Sequence, residues 1–175
     1  MVRLQLTYYY HMANTELVDI VNEKNDIVGS ADVTTTHDQK LTHRVVGVFV
    51  FDADGVLYLQ SGNKYGRLDI SVGGHVQKGE MYEDAAKREM FEELGLIIPI
   101  KHISTFLPKD ARLSHYWTIF TATAPRDWEF KKTDEVISLE KMTLIKVKDM
   151  MQAQPDAFTH GFINAMTELI RVQGL

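Results

Sequence analysis

Glu89, Glu92 and Glu93 stand at i, i+3 and i+4, a spacing that brings three carboxylates onto one face of a helix. Three like charges held together repel, so the arrangement is costly unless a cation sits among them. Carboxylate oxygens are hard donors that suit magnesium, manganese or calcium. Magnesium ordinarily takes a few carboxylates together with waters and substrate phosphates. The chemistry such a platform serves is attack of water on a pyrophosphate bond, in which an ion neutralises the phosphate oxygens, activates a bound water and stabilises the leaving phosphate. A carboxylate not committed to the ion can take the proton from that water. Arg88 precedes the cluster, and its guanidinium fork suits a bidentate hold on Glu80 or another glutamate. The Gly73-Gly74 turn lets a backbone carbonyl approach an ion, because no Cβ stands in the way. Any single glutamate of a helix is more often a solvated charge. Glu83 and Asp84, near the favourable N-terminal end, read that way.

The segment from Gly74 to Leu96 fits Gly-x5-Glu-x7-Arg-Glu-U-x-Glu-Glu-x-Gly-U, where U is a bulky aliphatic residue. Gly74, Glu80, Arg88, Glu89, Glu92, Glu93 and Gly95 take the fixed positions, and Met90 and Leu96 the aliphatic ones. At ordinary residue usage, such a match arises by chance at about one start in 10⁸ to 10⁹. The segment resembles the Nudix box, the signature of the Nudix hydrolases, at every position. The strand pair before it (HRVVGVFVFDADGVLYLQ) and the strand and helix after it extend the resemblance over about residues 16 to 170. The resemblance implies an α/β/α sandwich around a mixed sheet. It implies hydrolysis of a nucleoside diphosphate linked to another group, with magnesium as cofactor and manganese able to substitute. Glu89, Glu92 and Glu93 match the metal-binding glutamates, Gly74 the glycine whose carbonyl also reaches metal, and Glu80 and Arg88 the supporting pair. Met81 departs from the usual pattern, standing where a Ser or Thr cap is common, a loss of about 1 kcal/mol. Glu135 sits where Nudix hydrolases often place a further acidic group, as an extra ligand or a general base. The partner implied is a small nucleotide or other diphosphate. Nudix hydrolases are often dimers, which makes a homodimer an expectation.

The flanks are also similar to the isopentenyl diphosphate isomerase branch of the same superfamily. The likeness lies in ELVDIVNEKNDIVG, in His43 and in Gly74-His75. Isomerisation needs a Cys–Glu pair. The chain has no cysteine; the isomerase cysteine falls on Gly73, and its two later metal-site glutamates fall near Leu113 and His115. The complete glutamate array is the hydrolase pattern. A non-catalytic nucleotide-binding module on the same fold would be expected to carry a degenerate box.

Other residues offer weaker signals. Arg44 has a guanidinium suited to a substrate phosphate. His75 is a second substrate-binding candidate, and His43 and His75 are within reach of a second metal, although lone histidines are more often structural. Trp128, in the loop after Pro125, reads as an exposed stacking or interface residue. Of Tyr116 and Trp117, adjacent on one strand, one faces the core and the other a pocket.

The elements that must position these groups follow from periodicity. ELVDIV, 16 to 21, alternates like a half-buried strand, Asn25-Asp26 is a turn, and IVG returns. VVGVFVF, 45 to 51, is a buried strand, DADG a turn, and 56 to 60 the antiparallel return. Residues 80 to 94 form the glutamate helix, with Gly95 as its stop. Strands are expected at 101 to 106, 116 to 123 and 142 to 147, and an amphipathic helix at 157 to 172. Strands and helices mix and hairpins dominate, so the fold class is α+β, a central mixed sheet with an N-terminal hairpin and helices on both faces. With 175 residues, 45% hydrophobic and 25% charged, the chain reads as one soluble domain over 16–175, with residues 1–15 as a flexible leader. The net charge of −5 argues against a general nucleic-acid binder. No apolar run approaches a bilayer span and no signal peptide is evident. With no cysteine, this places the chain in the cytoplasm as an expectation.

Overall fold

The computed structural model describes residues 16–62, 66–109 and 115–174; the expected leader and Leu113 lie outside the described residues. β1 (Leu17–Val21) and β2 (Ile27–Asp32) form an antiparallel hairpin. Its turn holds Asn25 at φ 67°, a left-handed conformation that asparagine tolerates better than most residues. The short helix α1 (Val33–Asp38) follows. Its VTTT run is a poor helix former, but Asp32 caps it by accepting the Thr35 amide at 2.9 Å and the Thr35 hydroxyl at 2.6 Å. Then come β3 (His43–Phe51), β4 (Leu57–Ser61), β5 (Val72–His75), α2 (Tyr82–Leu94), β6 (Ile100–Phe106), β7 (His115–Thr123), β8 (Ser138–Met142), α3 (Leu144–Ala153), a 3-10 turn at Pro155–Ala157, and α4 (His160–Gln173).

Among the described residues, eight strands join one mixed sheet, and β3 is its hub. It runs parallel to β7 in register from His43 opposite His115 to Phe51 opposite Thr123. It pairs antiparallel with β5 from Val45 opposite His75 to Val48 opposite Val72. It meets β1 at its start and β4 at its end. Alternation along β3 divides the core in two. Val46, Val48 and Val50 pack with Ala85, Ala86 and Met90 of α2 on one face. Val45 and Phe49 pack with Phe162, Met166 and Leu169 of α4 on the other. Gly47 has to be small: a Cβ there would lie 2.6 Å from Ile70 Cδ1 and 3.0 Å from Trp117 Cζ3.

The α+β mixed sheet, the N-terminal hairpin and the helices on both faces are as expected. Gly95 stops α2 in the left-handed region at φ 66°. Met81 caps α2 without a side-chain bond. The strand expected at 142 to 147 is a correction: β8 spans 138–142, and the chain turns into α3 at 144. Thr143 caps α3 by accepting the Lys146 amide, and buried Val147 faces the α4 core. The short run MTLIKV fits both periods, and packing decides between them. α1 and the four-residue, glycine-rich β5 were not anticipated. The last helix begins at 160 rather than 157, because the preceding 3-10 turn ends before the Thr159 cap. Trp128 is another correction: its ring packs edge-on against Tyr58, 5.2 Å between centroids, half-buried against the α2-side core. Among the described residues, no helix is long and apolar enough to cross a membrane.

Phe162 is fully buried, stacked on Phe158 at 4.8 Å and edge-on to Phe49 at 6.2 Å. Phe162→Ala is expected to destabilise the chain by about 3–5 kcal/mol. Urea unfolding should show this as a lowered midpoint with an unchanged slope.

Candidate active site

Helical spacing sets Glu89 and Glu93 on the buried face of α2, beneath the glycines of β5. A Cβ at Gly74 would lie 2.1 Å from the Glu89 carboxyl, so any larger residue there would push that carboxylate out of its present position. Glu93 accepts the Gly73 amide at 3.0 Å and the Gln60 side-chain amide at 3.1 Å. The loop between β7 and β8 is tied to the end of α2 by the Thr133 hydroxyl, which donates to the Glu93 carbonyl at 3.1 Å. That tie brings exposed Glu135 to the cluster: Glu89, Glu93 and Glu135 each offer a carboxylate oxygen, all within 4.8 Å of one another.

Arg88 is the clamp. Its Nε and Nη2 bind Glu80 at 2.9 and 3.0 Å, its Nη1 binds Glu89 at 2.8 Å and Glu92 at 3.0 Å, and its Nη2 also binds the His75 carbonyl at 3.0 Å. These bonds use all five N–H donors of a guanidinium. Glu80 in turn accepts the Gln77 amide at 2.9 Å, closing the β5–α2 loop. Glu92 lies at the cleft mouth, outside the trio that converges.

The resulting cleft, about 690 Å³, is walled by Glu16, Gly74, Arg88, Glu89, Glu92 and Glu135. Glu16 was not singled out from sequence, and no local signal marks it. It enters because the hairpin docks on the β5–α2 loop, where the Lys78 amide donates to the Leu17 carbonyl at 2.8 Å and the Gly79 amide to buried Asp19 at 2.9 Å. A second cavity of about 600 Å³ adjoins, sharing Gly73, Gly74 and His75 with the cleft and lined by Ile70, Asp69 and Trp117. Trp117 is therefore both core and cavity wall.

Arg44 lines neither cavity. Its Nε and Nη2 donate to the side chain and carbonyl of Asn25 at 2.8 and 2.7 Å, and it stacks over the Tyr82 ring. In this structure the guanidinium ties the hairpin turn to α2. The carbonyl of His75 serves Arg88, while its ring turns the other way, into a group with His37, His43 and His115.

Burial pushes the Glu93 carboxyl up to about 8, against the opposing hydrogen bonds from Gly73 and Gln60. Burial likewise pushes Glu89 up to about 7, against the charge of Arg88. Glu16 is raised for the same reason. Two buried carboxylates that resist ionisation, with a third close by, form an oxygen donor set that fits a divalent hard cation. A cation there would favour the ionised carboxylates that burial disfavours.

The family model of the NUDIX domain matches residues 41–162. The chain belongs to the Nudix family. Its relatives include isopentenyl-diphosphate Delta-isomerase 2 of Photorhabdus laumondii, 31% identical over 157 residues, covering 84% of this chain and 88% of the relative. The uncharacterized Nudix hydrolase YfcD of Escherichia coli K12 is 29% identical over 161 residues, covering 89% and 87%. The crystal structure of DR0079 from Deinococcus radiodurans superposes with a TM-score of 0.73 at 26% identity, covering 90% of this Nudix chain and 99% of that one.

The two glutamates make the stability of this Nudix protein depend on pH. Unfolded, they release protons near 4.5; folded and metal-free, they hold them to about 7 and 8. The folded state binds the extra protons between those limits, so their contribution is lost as pH rises through 7 and 8. His75 and His115, lowered by burial to about 4 and 3 from 6.5, act in the opposite sense, and only below 6.5. In chelator, the Tm is expected to fall between pH 6.5 and 8.5, and Glu93→Gln to flatten the fall. An unaltered slope in that variant, read by thermal unfolding, would show that the buried carboxylates are not its source.

Proposed function

We propose that this Nudix chain is a magnesium-dependent hydrolase of the pyrophosphate bond in a nucleoside diphosphate linked to another group, with manganese able to substitute, working in the cytoplasm. The family and fold support a pyrophosphohydrolase-type activity. The observation that carries the reading is the convergence of Glu89, Glu93 and Glu135 within 4.8 Å, two of them buried, with the Glu89 carboxyl seated in the space that the missing Gly74 Cβ leaves. Those three carboxylates would hold the ion. Bound there, magnesium would supply neutralisation of the phosphate oxygens and a water of lowered pKa.

The chain's own groups do the rest. Arg88 spends its donors on fixing Glu80, Glu89, Glu92 and the end of β5, so its task is positioning. Glu92, exposed at the cleft mouth and outside the converging trio, is the carboxylate left to take the proton of the attacking water. The diphosphate lies in the acidic cleft. The organic end of the substrate lies in the adjoining cavity, against Ile70 and Trp117, where apolar walls suit a ring system.

The isomerase relative prompts a second reading, but the Cys–Glu pair of that branch is absent. The chain has no cysteine, and Gly73, where the resemblance puts that branch's cysteine, uses its amide on Glu93.

The test is release of nucleoside monophosphate or phosphate from a panel of nucleoside diphosphate derivatives, with magnesium or manganese at slightly alkaline pH. Isopentenyl diphosphate is followed in parallel. Metal-dependent cleavage is expected, abolished in Glu93→Gln and lowered roughly 100-fold or more in Glu92→Gln. Isomer formation without phosphate release would overturn the hydrolase reading.

A further inference from the structure

Four histidines converge beside the carboxylate cleft: His37 on α1, His43 at the start of β3, His75 at the end of β5 and His115 at the start of β7. The sheet builds the group. His43 lies opposite His115 in the parallel ladder, and His75 pairs with Val45, two residues along β3. Each side chain offers one ring nitrogen, and the four atoms lie within 4.8 Å of one another. His37 Nε2 and His75 Nε2 are 3.2 Å apart. Nitrogens bound at about 2.0–2.1 Å to a tetrahedral zinc-type ion stand about 3.3 Å from each other. Among the described residues, no carboxylate belongs to the set.

Ring packing alone leaves two atoms unexplained. His43 is 1% exposed, and its Nδ1 lies 2.8 Å from the Leu41 carbonyl. A carbonyl only accepts, so Nδ1 carries the proton and Nε2 is a bare lone pair. That Nε2 is buried without a partner, and so is Nδ1 of His115. Buried polar atoms are rarely left unpaired, and an ion is one of the recognised reasons when they are. A ligating histidine characteristically donates its other ring N–H to a backbone carbonyl or carboxylate, as His43 does.

We propose that His37, His43, His75 and His115 bind one transition-metal ion of the zinc class through four imidazole nitrogens, at a site separate from the carboxylate cleft. Imidazole suits zinc, cobalt or nickel, whereas magnesium prefers oxygen. Four protein ligands close a tetrahedral shell, the arrangement of a structural ion. The ion ties α1, β3, β5 and β7 together. It pins the end of β5 whose carbonyl receives Arg88. With four neutral imidazoles as its ligands, the ion keeps its positive charge at the wall His75 shares with both cavities, where it draws an anionic substrate.

The full chain, stripped by chelator, is titrated with Co²⁺ as a visible-light reporter and then with Zn²⁺ as competitor. Wild type is expected to take up one equivalent of Co²⁺ with the intense absorption of a four-coordinate nitrogen site, displaced by Zn²⁺. The Glu89→Gln/Glu93→Gln double variant keeps that band. His115→Ala and His37→Ala lose it, with Co²⁺ affinity falling by more than the roughly 10- to 100-fold cost of removing an outer hydrogen-bond partner. His37 is exposed on a short surface helix, so its removal leaves the core intact, and matching far-UV circular dichroism of the metal-free variant checks this. The proposal is overturned by a wild type without the band, by a band that survives in His37→Ala, or by one that disappears with the two glutamates.

Discussion

Taking the carboxylates of Glu89 and Glu93 out of water is the constraint around which this molecule is arranged. A buried charge costs several kcal/mol unless it is paired and hydrogen-bonded, and each neighbouring element contributes to lowering that cost. Arg88 commits its whole guanidinium to Glu80, Glu89, Glu92 and one strand carbonyl. The Gly73 amide and Gln60 serve Glu93. What these groups leave uncompensated appears as carboxyls pushed up to about 7 and 8. The same residue that would stabilise a merely structural ion pair here holds a site in tension, ready for a cation.

β3 converts that local arrangement into a fold. Because it carries β5 on one side and β7 on the other, the glycines that cover the glutamates and the tryptophan that lines the neighbouring cavity share one rigid support. Its alternating side chains feed two separate cores, so α2 and α4 are anchored independently on opposite faces. The hairpin adds no core of comparable size. Its work is to close the cleft with Glu16, held by Asp19 below and by the Arg44–Asn25–Tyr82 junction at its tip. Tyr82 donates its hydroxyl to the same Asn25 oxygen that Arg44 binds, so the turn and the start of α2 are fixed as one unit.

His75 joins two chemically distinct donor sets. Its carbonyl belongs to the oxygen-rich side through Arg88, and its ring to the nitrogen-rich side. Hard and borderline ligands select different ions, so the two environments can be occupied without competition. The strand between them is only four residues long, and displacement of one end would move the other.

Much of the candidate site could be read directly along the chain because its core is helical and local. Arg88, Glu89, Glu92 and Glu93 lie within six residues, and a period of 3.6 fixes their relative directions before any tertiary contact forms. The buried strand at β3 and the stop at Gly95 are likewise properties of short segments. The sequence determined these. Only the tertiary structure decided which carboxylates converge: it set Glu92 at the mouth, brought Glu135 in through a loop tied by Thr133, and delivered Glu16 from a hairpin far away in the chain. It also engaged Arg44 with Asn25 and Tyr82, changed 144–147 from strand to helix, and collected four histidines from four elements. Each of these depends on pairing between segments distant in sequence. The chain's local preferences are nearly silent there, and the energy comes from burying surface against a partner that no short window contains.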